Sequence, residues 1–268
     1  MKLYTDIVTD YLAGRSLAAH AQEWFFTQPG YCFQEPDGSD AQKAAVMQVY
    51  EQVLRTVETF VPGNRPVWDA LFPDWQDILR GAETALIVGY PPPNDALVLK
   101  SPAGVDTAVL DMGLWVQYLG TVPVERVAHN LLTHELCHVC IHRHRPELDA
   151  AQETGDYLSR LDAFTFDEGF AHFVSYNDRE ANQVDWDAPE LRAVWTRSAA
   201  AMRSARQETQ PAQQQEQLHS AVFGSYYDKY ACMCGLYYLA RCWQGGGSAR
   251  LAEEFAAGWQ GFAEKTLS

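Results

Sequence analysis

Apolar positions along this chain of 268 residues come in two textures, one periodic and one in short runs. Between Asp40 and Phe60, the residues Ala44, Val46, Met47, Tyr50, Val53, Leu54, Val57 and Phe60 follow the three–four spacing of a helix with one buried face. Val61-Pro62-Gly63 breaks that pattern, and Trp68, Leu71, Trp75, Ile78 and Leu79 mark a short helix after it. Residues 1–80 read as helical. The texture then changes to three short apolar runs, ALIVGY (85–90), ALVLK (96–100) and TAVLDM (107–112). Pro91-Pro92-Pro93-Asn94-Asp95 and Pro102-Ala103-Gly104 separate them, which predicts three strands of a small sheet joined by turns. Thr121-Val122-Pro123 opens a long helix expected over 124–143 and stopped by Pro146. A linking helix near 157–161 is expected to lead to another over 166–177. Further helices are expected at 191–206, within GSYYDKYACMCGLYYLARCW and at 249–263, with ETQPAQQQEQ as a loop and helix start. The expected fold class is α+β, mainly α-helical, in a single domain over 1–268. It would comprise a helical part (1–80), the small sheet with the long helix (81–145) and a helical C-terminal lobe (146–268).

Composition narrows the classes without choosing a function. The chain is 47% hydrophobic and 21% charged, which suits a soluble globular protein, and it has no apolar run of the eighteen or so residues a membrane span needs. A net charge of −15 disfavours nucleic acid and anionic membranes as partners. The N-terminal stretch MKLYTDIVTDYLAG lacks an apolar leader, so a cytoplasmic location is expected. Of the six cysteines, Cys137-x-x-Cys140 and Cys232-x-Cys234 are spaced like structural zinc ligands. Cys137 and Cys140 fall on different faces of one helix, however, and reduced thiols are the simpler expectation.

Chemistry concentrates in LLTHELCHVCIH, residues 131–142. His134 and His138 are four apart, so a helix places both on one face, close enough to grip one metal ion. Glu135 between them is positioned to take a proton from an activated water. The flanking Leu131, Leu132, Leu136, Val139 and Ile141 suit a buried helix, where an unpartnered histidine is costly. Some thirty residues on, FTFDEGFAHFVSY carries Asp167, Glu168, Gly169 and His172. A catalytic zinc takes three protein ligands and keeps a position open, and Glu168 would complete a His2Glu set.

Here the chain resembles the gluzincin metallopeptidases, whose HExxH helix is followed by a later helix with a zinc-binding glutamate. The EGFAHF run (168–173) is most similar to poorly characterised families described as predicted Zn-dependent proteases. The resemblance covers two short helices firmly and residues 84–176 loosely. It implies Zn²⁺ as cofactor, His134, His138 and Glu168 as metal ligands, Glu135 as general base and a peptide or protein as substrate. It also implies a zincin-like sheet whose edge strand holds extended substrate beside the metal cleft. An oxyanion donor is needed from the C-terminal part. Tyr226, Tyr227, Tyr230 and His219 are candidates, with Tyr230 the choice by role. His172, one turn after Glu168, stands where thermolysin-like gluzincins have an aspartate, and is expected to bond a ligand or a substrate carboxylate. Asp167 is expected as a helix cap or an outer acceptor.

Two alternatives stay open. His144 lies ten residues after His134, the metzincin spacing, but Ile141 stands where that family needs a turning glycine. On a continuing helix His144 would sit roughly 240° around the axis from His138 and point away. The chain could also be a non-catalytic zinc-binding scaffold with an inherited peptidase fold, against which the retained Glu135 speaks. Endopeptidase and exopeptidase action remain equally open, and no GxMEN-like signature supports amino-terminal recognition.

Overall fold

The computed structural model describes residues 1–28 and 30–268, so the helical expectation for residue 29 lies outside the described residues. Four strands form one sheet: β1 (Lys2–Tyr4), β2 (Glu83–Ile87), β3 (Ala96–Lys100) and β4 (Asp106–Asp111). The helices in chain order are α1 (Asp6–Leu12), α2 (Asp40–Glu58), α3 (Arg65–Leu71), α4 (Trp75–Gly81), α5 (Met112–Trp115), α6 (Val124–His144) and α7 (Glu147–Thr154). They continue with α8 (Tyr157–Ser175), α9 (Pro189–Gln207), α10 (Pro211–Val222), α11 (Tyr230–Ala257) and α12 (Phe262–Lys265). The protein is therefore α+β and mainly helical. No helix among the described residues is long and apolar enough to cross a membrane. The chain divides into two units, Met1–Pro62 with Gln76–Val139 and Gly63–Trp75 with Cys140–Ser268.

In the first unit the sheet has the order β1-β2-β4-β3, with β1, β2 and β4 parallel and β3 antiparallel to β4. The central strands β2 and β4 are buried along nearly their whole length, as parallel strands covered on both faces must be. Edge strand β3 is half-buried and ends on exposed Lys100, a residue that discourages further pairing. At the end of β4, Asp111 accepts bonds from the amides of Gly89 (2.8 Å), Tyr90 (2.6 Å) and Leu114 (3.0 Å). It thereby ties the turn after β2 to the start of α5. Burial raises its pKa to about 6 against the pull of those donors. Beside the sheet, Ser39 caps α2, which buries Val46, Val49, Val53 and Val57 along one stripe.

The second unit is built around α8. Eleven of its residues from Leu161 to Phe173 are buried, with Phe164 and Glu168 half-exposed, so it has no polar side. It packs chiefly on α11. Phe166, Phe170, Phe255 and Phe262 stack along the helix, and Asp162 caps α12 through the amides of Gly261 (2.7 Å) and Ala263 (3.0 Å). The α8–α11 crossing is a backbone contact. A Cβ on Gly169 would lie 2.8 Å from the Gly235 Cα, and one on Gly235 would lie 2.5 Å from the Thr165 carbonyl oxygen.

Three sequence expectations need correction. Residues 1–80 are not all helical, because Lys2–Tyr4 pairs with β2 as strand β1; three residues are too few to show a period, and only a distant partner makes them a strand. The two helices expected at 157–161 and 166–177 are the single α8, capped by Asp156 and ending at Ser175. Burial all round had removed the polar stripe that would have shown its continuity. The glutamine-rich stretch is a short loop and helix start as expected, with Pro211 in the first turn of α10. The terminal helix expected at 249–263 is the second half of α11, beyond a kink at Gly246–Gly247, followed by the short α12.

Candidate metal centre

Within the first unit, α6 carries His134, Glu135 and His138. Of residues 131–141 only Leu131, His134 and His138 are half-exposed, which makes the histidine face the open face of a buried helix. The two Nε2 atoms are 3.2 Å apart, with ring centroids 4.8 Å apart and planes at 82°. Two nitrogens bound at about 2.0–2.1 Å to one tetrahedral metal stand about 3.3–3.4 Å apart, so this separation fits a shared ion. Glu135 is 8% exposed. Its carboxylate acts on Tyr31, whose hydroxyl pKa is raised by burial and then by the Glu135 charge. Tyr31 lies a hundred residues upstream, in a stretch without periodicity, and sequence reasoning missed it.

Within the second unit, α8 carries Asp167, Glu168 and His172. Glu168 keeps 22% of its side chain exposed, while His172 is buried. His172 Nδ1 is 2.9 Å from the Glu168 carbonyl oxygen and 3.2 Å from Glu168 Oε2. A proton on Nδ1 satisfies both acceptors. The Cys232 thiol also approaches Glu168 Oε2, at 3.6 Å, and donates to it. Burial and the Glu168 charge hold that thiol protonated. Cys232 is a further residue that sequence reasoning did not attach to the site; its position becomes legible only once α11 lies on α8.

The oxyanion candidates separate clearly. Tyr230, the choice from sequence, is buried with Leu161, Met202 and Leu218, and its hydroxyl donates to the Gln217 carbonyl at 2.9 Å. It opens α11, and the helix turns its side chain into the core. Tyr226 lies in the 3-10 turn Tyr226–Asp228 just before, with its ring 5.3 Å from the His172 ring. Burial of its hydroxyl, then the neighbouring Tyr176, Tyr227, Cys232 and Glu168, push its pKa far up and keep it a proton donor. Tyr226 therefore replaces Tyr230 as the tyrosine beside Glu168.

Asp167 and His144 also have definite partners. Asp167 Oδ2 is 2.9 Å from His142 Nε2 and accepts from Gln152 Nε2 at 2.9 Å, so it is an acceptor inside α8 and not its cap. His142 Nδ1 meets Asp149 at 2.7 Å. Burial lowers the His142 pKa, but the two carboxylates more than reverse this and bring it to about 10. With the folded pKa above the unfolded value near 6.5, the stabilisation is complete below about pH 6.5 and is lost as pH rises through about 10. Ring-nitrogen NMR at pH 8 is accordingly expected to find His142 doubly protonated, and Asp167→Asn to lower its midpoint; a midpoint near 6.5 in the parent would contradict this. The helix α6 continues through Ile141 to His144, whose Nε2 is 2.8 Å from Asp74 Oδ1 and whose ring packs on Phe72. The turn a metzincin ligand requires is thus missing.

The chain has no match among protein-family models, curated proteins or solved structures.

Proposed function

We propose that this chain is a zinc-dependent peptidase of gluzincin type, with His134, His138 and Glu168 holding the metal and Glu135 as general base. The observation that carries the reading is the 3.2 Å approach of the His134 and His138 Nε2 atoms on the open face of α6. The acid on α8 supports it, because Glu168 is the half-exposed carboxylate of an otherwise buried segment and receives donors from His172 and Cys232. Two imidazoles and one carboxylate form a donor set suited to zinc. A zinc ion held there supplies a Lewis acid that polarises the scissile carbonyl.

The remaining steps belong to the chain's own groups. Glu135, nearly buried, takes a proton from the attacking water and returns it to the departing amine. Tyr226, kept protonated by its surroundings, donates to the oxyanion of the tetrahedral intermediate. His172 and Cys232 fix the Glu168 carboxylate in one orientation, so that little ordering remains when the metal binds.

Elemental mass spectrometry after dialysis tests the ligand set. The parent is expected to hold one zinc per chain, Glu168→Ala to lose it and His144→Ala to keep it. Loss on His144→Ala with retention in Glu168→Ala would move the third ligand to His144. A parent that takes up no zinc after reconstitution would remove the basis of the proposal.

A further inference from the structure

The first unit contains a cavity of about 370 Å³ that the metal-centred reading does not use. It opens where β2 meets α1 and the two short 3-10 turns His20–Gln22 and Trp24–Phe26. Its volume falls within the roughly 300–1,000 Å³ of sites for small organic ligands. The apolar lining is made by Ile7, Phe25, Ala85, Leu86 and Ile87, all buried, with the half-buried Trp24 as an aromatic wall.

Apart from His20, the ionisable side chains that frame this lining are acidic or the Tyr4 phenol. Asp6, Glu23 and Glu83 bring three carboxylates to the cavity. The basic side chains nearby are each already bonded to a carboxylate. His20 is held by Asp10 at 2.9 Å, and Lys2, itself mostly exposed, reaches Glu83 at 3.4 Å over the Tyr4 ring. Tyr4 donates to the same Glu83 oxygen at 2.8 Å, which fixes that carboxylate. Among the described residues, the Asp6 and Glu23 carboxylates enter no ion pair.

We propose that this cavity binds a small organic cation, a protonated amine carried on a hydrocarbon or aromatic body. The lining takes the apolar body by burial, and the Trp24 face and the carboxylates attract the ammonium. An anion of the same shape is repelled by the same carboxylates and by the net charge of −15. A neutral isostere keeps the apolar contact and loses the attraction. The cavity lies wholly within the first unit, so the proposal stands apart from the peptidase reading.

Titration of phenethylamine into protein labelled with ¹⁵N at tryptophan, followed through the Trp24 indole resonance, tests it. The resonance is assigned by its disappearance in Trp24→Phe. The expected result is a saturable shift with phenethylamine, a tenfold or greater weakening with 2-phenylethanol and none with phenylacetate. Asp6→Asn combined with Glu23→Gln is expected to weaken the amine by about tenfold and leave the alcohol unchanged; both positions are exposed, so the variant should fold. A blocked peptide with one lysine, titrated alongside, shows whether the natural cation is a free amine or a basic side chain. Equal binding of amine and alcohol, preference for the anion, or no saturable shift would each overturn the proposal. Chelator-treated protein is expected to give the same titration, so failure of the zinc reading would leave this result unaffected.

Discussion

Glu135→Gln is expected to keep the zinc of the parent and to lower peptide hydrolysis by about 10²–10⁴-fold, the usual worth of a positioned general base. The two side chains have nearly the same shape, and the site is 8% exposed, so the substitution should neither open a cavity nor disturb α6. It removes only the capacity to accept a proton. The neighbouring histidines keep their 3.2 Å separation through the helix backbone, which this change does not touch. The measurement pairs elemental analysis with cleavage of a quenched fluorescent peptide library by parent and variant. Unchanged cleavage would remove Glu135 from the chemistry. Zinc in both proteins with cleavage in neither would favour a metal-binding scaffold over an enzyme. Loss of zinc in the variant would show that Glu135 helps to hold the ligands.

Gly169→Ala is expected to destabilise the protein by about 3 kcal/mol, at the upper end for overpacking, and to lower Tm by about 6–12 °C. Alanine alone favours a helix over glycine by roughly 0.5–1 kcal/mol, so a neutral environment would make the change stabilising. Here the added Cβ would stand 2.8 Å from the Gly235 Cα, and the obstructing atom is backbone that cannot rotate away. The helices must separate, and Glu168, next in sequence to Gly169, moves with α8. Zinc affinity should therefore fall along with stability. Gly235→Ala meets the Thr165 carbonyl at 2.5 Å and is expected to behave alike. Thermal melts of both variants decide the point. A Tm equal to or above that of the parent would mean that the α8–α11 crossing yields to the added methyl without loss of packing.

Much of the architecture is legible in the sequence wherever a period or a stop signal is local. The sequence predicts the long helix over 124–143 and it runs Val124–His144, because apolar spacing and Pro123 and Pro146 mark its limits. The strand expected at 96–100 is β3, bracketed by proline-rich turns. Strand β1 was not legible, since three residues become a strand only through pairing with β2, eighty residues away. Helix α8 looks like two helices in the sequence because burial on every side erases the alternation by which a helix is recognised.

The same division holds at the candidate site. Spacing along one helix determined that His134 and His138 share a face, and a repeat of 3.6 residues per turn makes that independent of the rest of the fold. It equally determined that His144 would leave that face unless the helix turned, and it does not turn. The choice among four clustered aromatic and histidine candidates was tertiary. Tyr230 opens a helix whose inner face is core, whereas Tyr226 precedes that helix and meets His172. Cys232 came to Glu168, and Tyr31 into the field of Glu135, through packing between segments distant in sequence. Local spacing can place side chains on one helix face, because the backbone there is its own ruler; only packing decides which distant groups surround them.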